Sequence, residues 1–185
     1  MLSDPDTEVL YCTAVALGHR RDPRAIPHLI KLAKHPCEDV RYGVVHGLLT
    51  YEDPIAISCL IDLSKDSDED VRNWAIFGLG TQIETDTLEI RDALFDSLHD
   101  SNDEARGEAL IGLAERGDRR VVEALLKEWD REFIGRLSIE AAEKIADPRL
   151  LGRLESFAET MDLDDDKTYQ NQLNRAIKSC NNFYG

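Results

Sequence analysis

The chain has 185 residues, of which 42% are hydrophobic and 32% charged, and its formal net charge at pH 7 is -15. The hydrophobic share is enough for a continuous core. The negative charge disfavours general nucleic-acid binding and docking on anionic lipid, because both present negative charge to the protein. It favours a basic protein or a cationic ligand as the partner.

The sequence carries no mark of export or membrane insertion. Its N-terminus lacks a basic and an apolar signal region, and no apolar run approaches the roughly 18 residues that a membrane span needs. The four cysteines (Cys12, Cys37, Cys59 and Cys180) have no CxxC spacing and no clustered histidines. We therefore expect reduced, buried thiols and a cytoplasmic location.

A repeated acidic mark divides the chain into units. This mark is a three-residue motif whose first residue is acidic, and it begins at Glu8, Asp39, Asp70 and Glu104, at steps of 31, 31 and 34 residues. A helical pattern of small and apolar residues follows each motif. A period of this length with two helical stretches per unit indicates a solenoid. The predicted fold is an all-α, right-handed α-α superhelix of about five helical pairs, an architecture that usually holds a partner.

The first predicted unit, 4–21, is a half repeat. Its helix, Glu8 to Gly18, has the pattern of a second helix whose first helix is absent, so its apolar side would face water or a partner. One interpretation is a truncated or degenerate first repeat, since an uncapped solenoid end exposes core residues. The other is a homodimer formed through this N-terminal end.

The next unit, 22–52, has the clearest helix signals. Asp22 is the predicted N-cap, and Pro23 stands at the first helical position, where its missing N–H costs nothing. Pro36 ends this helix, because the residue before a proline avoids the α conformation. Glu38 and Asp39 are predicted to cap the second helix.

The remaining units repeat this plan. We assign repeats to 53–84, 85–117 and 118–146, and a C-terminal capping repeat to 147–185. In the last one an acidic loop, Asp162 to Asp166, leads to a helix whose polar side suits a terminal cap. This loop and the stretch Asp66 to Asp70 suggest calcium, but both lack the glycine and glutamate of an EF-hand, which favours solvated capping turns.

The residues Asp22-Pro-Arg-Ala-Ile-Pro-His-Leu-Ile-Lys-Leu, followed by Asp39-Val-Arg and Asp70-Val-Arg-Asn-Trp-Ala, resemble the HEAT-like repeats named after phycobilisome bilin lyases. The resemblance covers nearly the whole chain. It implies a HEAT-like or armadillo-type solenoid. It does not specify a function, because these repeats serve as scaffolds, lyase subunits, DNA-repair folds and regulators.

Asp70 to Leu125 is also similar to small bacterial HEAT-repeat proteins, some of them encoded beside polymorphic-toxin genes and proposed as immunity proteins. That similarity implies binding and neutralising a toxin domain. The chain departs from the pattern in the missing N-terminal part and in the fourth repeat, where Ser138 replaces the expected arginine.

An arginine recurs beside the acidic mark, as Arg41, Arg72 and Arg106. A charge repeated in every unit is what stacking between repeats would require, so we expect a ladder in which each arginine bridges acids of its own or a neighbouring repeat. The alternative, an anion-binding strip, is disfavoured by the surrounding acids.

The second helices of HEAT-like stacks line the concave face, so their variable outward positions are the predicted binding surface. Aromatic residues occupy these positions in the first units and carboxylates in the later ones, a combination that suits a binding surface. The alternative is that Trp74 and Phe77 only pack on the adjacent helix. The predicted partner-binding residues are Tyr42, His46, Asn73, Trp74, Phe77, Glu108 and Ile111.

Catalysis has little support, because the sequence contains no GxSxG, HExxH or phosphate-loop motif and its five histidines lack ligand spacing. We expect no enzyme activity, no cofactor and no metal. The predicted function is binding of a basic protein, in its most specific form as a bacterial immunity-type protein against a basic toxin domain. The alternatives are a subunit of a bilin-lyase-like enzyme and a cytosolic regulatory scaffold.

Overall fold

The computed structural model describes residues 4–49, 51–131, 134–160 and 167–182, which form eleven α-helices and no strand. The helices are α1 Thr7–Arg20, α2 Ile26–Leu32, α3 Glu38–Leu48, α4 Pro54–Leu63, α5 Glu69–Phe77, α6 Leu88–Ser97, α7 Asp103–Glu115, α8 Arg120–Glu128, α9 Arg136–Ile145, α10 Leu151–Thr160 and α11 Lys167–Asn181. Short 3-10 turns, Pro23–Ala25 and Pro148–Leu150, lead into α2 and α10. None of the helices described is long and apolar enough to cross a membrane.

The helices stack in two layers. The second helices α1, α3, α5, α7, α9 and α11 each contact the next one in this order, and the first helices α2, α4, α6, α8 and α10 lie on their other side. A single apolar core runs between the layers. The predicted all-α solenoid is confirmed.

Local capping signals explain where the helices begin. Asp22 and Asp53 are N-caps, and their carboxylates accept hydrogen bonds from the backbone N–H of the first turn, as predicted. The prediction for α3 was wrong by one residue, because its N-cap is Cys37, which makes no side-chain cap bond. Glu38 and Asp39 lie in the first helical turn, where negative charge interacts favourably with the helix dipole.

The recurring arginines form the predicted ladder between units. Each guanidinium reaches an acid in the following helical pair and also donates to two backbone carbonyls in the turn before its own helix. The pairs are Arg41 with Asp66, Arg72 with Asp100, and Arg106 with Glu128. The ladder therefore fixes both the turn inside a unit and the register between units.

The middle pair of the ladder, Arg72 with Asp100, shows the geometry of these contacts. The Nε of Arg72 lies 2.8 Å from one carboxylate oxygen of Asp100, and a terminal nitrogen lies 3.2 Å from the other. The second terminal nitrogen donates to the carbonyls of Asp66 and Ser67 at 2.9 and 3.1 Å. Both charged side chains are largely buried, and the pairing lowers the pKa of Asp100. This carboxylate consequently stabilises the fold above the ordinary pKa of aspartate and loses that contribution as acid protonates it.

Ser138 ends the ladder with a neutral contact. Its hydroxyl accepts a hydrogen bond from the indole N–H of Trp129 at 2.9 Å and donates to the carbonyl of Gly135 at 2.7 Å. Trp129 is buried, so this bond satisfies an indole N–H that has no access to water. The serine that replaces the expected arginine at position 138 is thus the hydrogen-bond partner of Trp129.

The acidic stretch from Asp66 to Asp70 contributes to this framework. Asp66 belongs to the ladder, and Asp68 caps α5 by accepting from the backbone N–H of Val71. Its interpretation as a capping turn is therefore supported. The second acidic stretch, Asp162 to Asp166, lies outside the described residues.

Adjacent second helices approach closely at glycines. A Cβ placed on Gly112 would lie 2.6 Å from the Cα of Gly80, and one placed on Gly18 would lie 2.7 Å from the Cα of Gly47. Such distances leave no room for a methyl group, because the obstacle is backbone. The glycines consequently set the spacing of the second-helix layer.

A π-helical turn, Gly78–Gln82, extends α5 and was not predicted. Arg116, at the end of α7, donates to the carbonyls of Leu79 and Gly80, each at 2.7 Å, and of Ile83 at 2.8 Å. One buried guanidinium thereby satisfies carbonyls that the end of the helix leaves without partners. Burial lowers the pKa of Arg116.

The four cysteines are free thiols, as expected. Cys59 and Cys180 are buried, and burial raises the pKa of each to about 11. The expectation that all four are buried was wrong, because Cys12 is exposed on α1 and Cys37 is half-buried. The last helix, α11, has the predicted polar face, with Gln170, Asn171 and Asn174 exposed.

We predict that Arg72→Ala lowers the free energy of unfolding by about 2 kcal/mol, because it removes charge-assisted hydrogen bonds and leaves Asp100 buried without its cation. Lys65→Ala is the matched control. Lys65 pairs with Asp96 at 3.2 Å with both side chains mostly exposed, and such pairs contribute less than about 1 kcal/mol. Urea unfolding measures the change in the free energy of unfolding for each variant. Equal changes for the two substitutions would contradict a structural ladder.

We predict that Gly112→Ala also destabilises the protein, by about 1–3 kcal/mol, because its methyl group would push α7 away from Gly80. Alanine is otherwise the better helix former by about 1 kcal/mol. Gly152→Ala in α10 is the control, since a Cβ there meets nothing within 4 Å. Thermal unfolding should show a lower Tm for the first variant and an unchanged or higher Tm for the second.

Candidate partner-binding surface

The outward side chains of α1, α3, α5, α7 and α9 form a surface that we call the second-helix face. A row of rings crosses its first half: Tyr11, Tyr42, His46, Trp74 and Phe77. Successive ring centroids along the row are 4.5–6.3 Å apart, from the stacked pair Tyr11 and Tyr42 to the edge-on pair Trp74 and Phe77. Four of the predicted binding residues are therefore in mutual contact.

The aromatic row is half-buried. Tyr42 and Trp74 pack against the core with one side, and their other side belongs to the surface. The alternative that the large rings only pack on neighbouring residues is thus correct for part of the Trp74 ring, whereas the ring of Phe77 contacts Trp74 on the same helix. A rigid, partly exposed row of this kind is suited to anchoring a partner, because little side-chain entropy remains to be lost.

Burial also sets the charge of the row. It lowers the pKa of His46, with a further contribution from His19, and it raises the pKa of Tyr42. Both shifts favour the neutral form of the side chain. The row is consequently an uncharged strip at neutral pH.

A cavity of about 670 Å³ lies at one end of the aromatic row, between α5, α7 and α9. Trp74 and Phe77 form its α5 wall, Gly107 and Glu108 line it from α7, and Leu137 lines it from α9. Its volume falls in the range of ligand pockets, roughly 300–1,000 Å³. We call it the α5–α7–α9 cavity.

Glu108 is the half-buried carboxylate of this cavity. Burial, with added repulsion from Glu140, Glu104 and Glu115, raises its pKa to about 7. The unfolded chain would ionise this group at lower pH, so the folded state is destabilised as pH rises from the ordinary pKa of glutamate through about 7. Near pH 7 this carboxyl is therefore only partly ionised, and it lies at the cavity without an ion-pair partner among the described residues.

The other carboxylates of the cavity already have partners. Asp103 and Glu128 both pair with Arg106, at 2.5 and 3.0 Å. Glu104 accepts a hydrogen bond from the side chain of Asn73 at 3.1 Å. Among the described residues, Glu108 has no such hydrogen bond or ion pair.

The structure places six of the seven predicted residues on the second-helix face, and four of these, Asn73, Trp74, Phe77 and Glu108, line the cavity. The prediction that Ile111 is an outward residue was wrong, since it is only 3% exposed. In α7 this position is covered by packing and belongs to the core.

Sequence reasoning missed two features of the cavity. Leu137 and Arg136 reach it from α9, where the sequence pattern predicts Leu137 as part of the buried stripe and gives Arg136 no role. Gly107 follows the ladder arginine, as do Tyr42 and Asn73 in earlier units, and the absence of a side chain there is a signal that could have indicated the close approach of Leu137 to α7.

A second, smaller depression of about 460 Å³ lies at the other end of the row. Tyr11 and Tyr42 line it together with Glu8 and Asp39. The aromatic row is thus bordered by carboxylates at both ends. Within the described residues, no group of three or more histidine, cysteine, aspartate or glutamate side chains is placed to hold a metal ion.

Comparison with known proteins agrees with this architecture. The HEAT_2 family model, described as HEAT repeats, matches residues 1–80. Protein YibA of Escherichia coli K12 is 33% identical over 154 residues, which are 83% of this chain and 44% of YibA. The chain therefore spans less than half the length of the curated relatives that it matches.

Solved structures give the same result. The X-ray structure of E. coli YibA superposes with a TM-score of 0.78 at 28% identity, covering 97% of this chain and 64% of that one. A designed armadillo repeat protein in complex with the peptide (KR)4 has a TM-score of 0.65 at 19% identity, covering 97% and 96% of the two chains, a likeness of fold alone. The repeat match over residues 1–80 and the continuous stack of helical pairs identify the chain as a HEAT-like repeat solenoid.

Proposed function

We propose that this protein is a non-catalytic binding module that holds a basic protein partner on the second-helix face. The observation that carries the proposal is the α5–α7–α9 cavity, in which aromatic rings adjoin a carboxylate without a cation. Interfaces are commonly anchored by such half-buried aromatic groups. The net charge of -15 adds a long-range attraction that would speed association with a basic protein.

The designed armadillo protein supports the chemistry of the partner, because its bound peptide, (KR)4, consists of lysine and arginine. We extend that class of ligand to this chain as a proposal. In its most specific form, the partner is the basic toxin domain of a bacterial polymorphic toxin, and the protein acts in the cytoplasm as its immunity protein. A stoichiometric complex that inhibits the toxin would be the expected result.

We predict that a (Lys-Arg)4 peptide binds the wild-type protein in 50 mM salt and that affinity falls when salt is raised to 500 mM. Trp74→Ala should weaken binding by at least about 1–2 kcal/mol if Trp74 is an anchor. Phe95→Ala is the matched control, because Phe95 is a half-buried ring on α6 in the other helix layer. Isothermal titration calorimetry measures these affinities.

An equal loss of affinity in both variants, or equal binding of an (Asp-Glu)4 peptide, would contradict the proposed surface. Both variants need a folding check by circular dichroism, since each ring also packs against the core.

We also propose that the outer side of α1 pairs with a second copy of the chain. Val9 and Leu17 are half-buried there, Cys12 and Ala16 are exposed, and together they line a shallow apolar depression. Sedimentation velocity should then show a dimer at 100 µM, and Ala16→Glu should convert it to the 20.9 kDa monomer. A monomeric wild-type protein at this concentration would refute the pairing.

A further inference from the structure

The α5–α7–α9 cavity has the features of a pocket for one cationic side chain. Resting on the proposed function, we propose that it receives a single lysine or arginine of the bound partner, with the methylene stem against Trp74 and Leu137 and the charged head at Glu108. This subsite gives Glu108 a defined role on the face that binds the basic partner.

The partners of the other cavity carboxylates single out Glu108 as the site for a cation. Arg106 already pairs with Asp103 and Glu128, Glu128 also pairs with Arg131 at 2.9 Å, and the side chain of Arg106 is only 3% exposed, so this cluster is part of the ladder. Glu104 is engaged by Asn73. The remaining carboxylate, Glu108, is the natural counter-ion for an incoming side chain.

The walls of the cavity suit a long cationic side chain better than a compact ion. Trp74 and Phe77 meet edge to face at 5.4 Å between centroids and offer apolar surface, and Leu137 faces them from α9. Lysine and arginine bury their methylene stems along apolar surface while the charged end reaches a polar group. An aromatic wall also attracts a nearby cation through its π electrons.

The negative charges of nearby glutamates would make a cation beside Glu108 more favourable. Glu104 and Glu115 lie on the same helix, and Glu140 lies on α9. Lys144 is occupied with Glu115 at 2.6 Å and Glu140 at 3.6 Å.

Arg136, which also lines the cavity, has its guanidinium 6.0 Å from the ring centroid of Tyr169. No ion pair joins Glu108 to either of the two cations among the described residues.

The raised pKa of Glu108 gives binding at this subsite a measurable signal, the release of a proton. The pKa of Glu108 is raised to about 7, so near neutral pH the carboxyl holds a proton part of the time. An arriving cation favours the ionised form and lowers that pKa, and binding therefore releases a proton. At pH 7 the release should approach about half a proton per complex, and at pH 9 it should be close to zero.

The test is calorimetric titration of the whole chain with the (Lys-Arg)4 peptide at pH 7 in phosphate and in Tris, which differ in ionisation enthalpy. We expect the binding enthalpy to differ between the two buffers by an amount that reports proton release, and to agree between two such buffers at pH 9. Glu108→Gln should bind at least about 10-fold more weakly at pH 9, where the wild-type carboxylate is ionised, and should release no proton at pH 7.

Glu123→Gln is the matched control, because Glu123 is an exposed glutamate on α8 that pairs with Arg149 at 3.0 Å. It should keep both the proton release at pH 7 and most of the affinity. Glutamine has nearly the shape of glutamate, so both variants should fold. The comparison of buffers uses the wild-type protein and therefore does not depend on the folding of a variant.

Two failures are distinguishable. If the wild type binds the peptide but releases no proton, and Glu108→Gln binds as tightly as Glu123→Gln, the pocket is overturned while the proposed function stands. If the folded wild type does not bind the peptide in 50 mM salt, the proposed function and the pocket both fail.

Discussion

The guanidinium group of each ladder arginine connects three parts of the chain: its own helix, the turn before that helix and an acid of the following helical pair. One edge of the guanidinium binds a carboxylate of the following pair, and a terminal nitrogen binds the turn that precedes its own helix. Arginine suits this position because its planar group donates in several fixed directions at once. Since each unit contacts mainly its neighbours in a solenoid, such nearest-neighbour bonds set the geometry of the whole stack.

The position of the binding surface follows from this constraint. Once the register is set, glycine contacts such as Gly80 with Gly112 bring the second helices close together, and the side chains of α5, α7 and α9 meet around one opening. The ladder also pairs two of the four carboxylates that line this opening, Asp103 and Glu128. Glu108 stays unpaired because it lies on the outward side of α7, two residues beyond Arg106, whose side chain turns toward Glu128. Of the carboxylates that line the cavity, Glu108 is therefore the one without a hydrogen bond or ion pair among the described residues.

The two regions where the repeat pattern weakens have physical explanations. Ser138 replaces a ladder arginine and instead satisfies the buried indole of Trp129. The longer step before Glu104 contains the π-turn, whose carbonyls are satisfied by Arg116. In both regions a buried polar group would be costly without a partner. A side chain from elsewhere supplies it, so the stack continues despite the irregular sequence.

The sequence by itself determined the helical pairs, most of their starting caps and the existence of a charged ladder, because these depend on spacing and capping within about one unit. Asp22 and Asp53 could be identified as caps for that reason. Only the tertiary structure decided which acid each arginine contacts, that Ile111 is buried and that Leu137 and Trp74 line the same cavity. Those outcomes depend on how helices from different units pack, and the pattern within a single helix carries no information on the side chains of its neighbours.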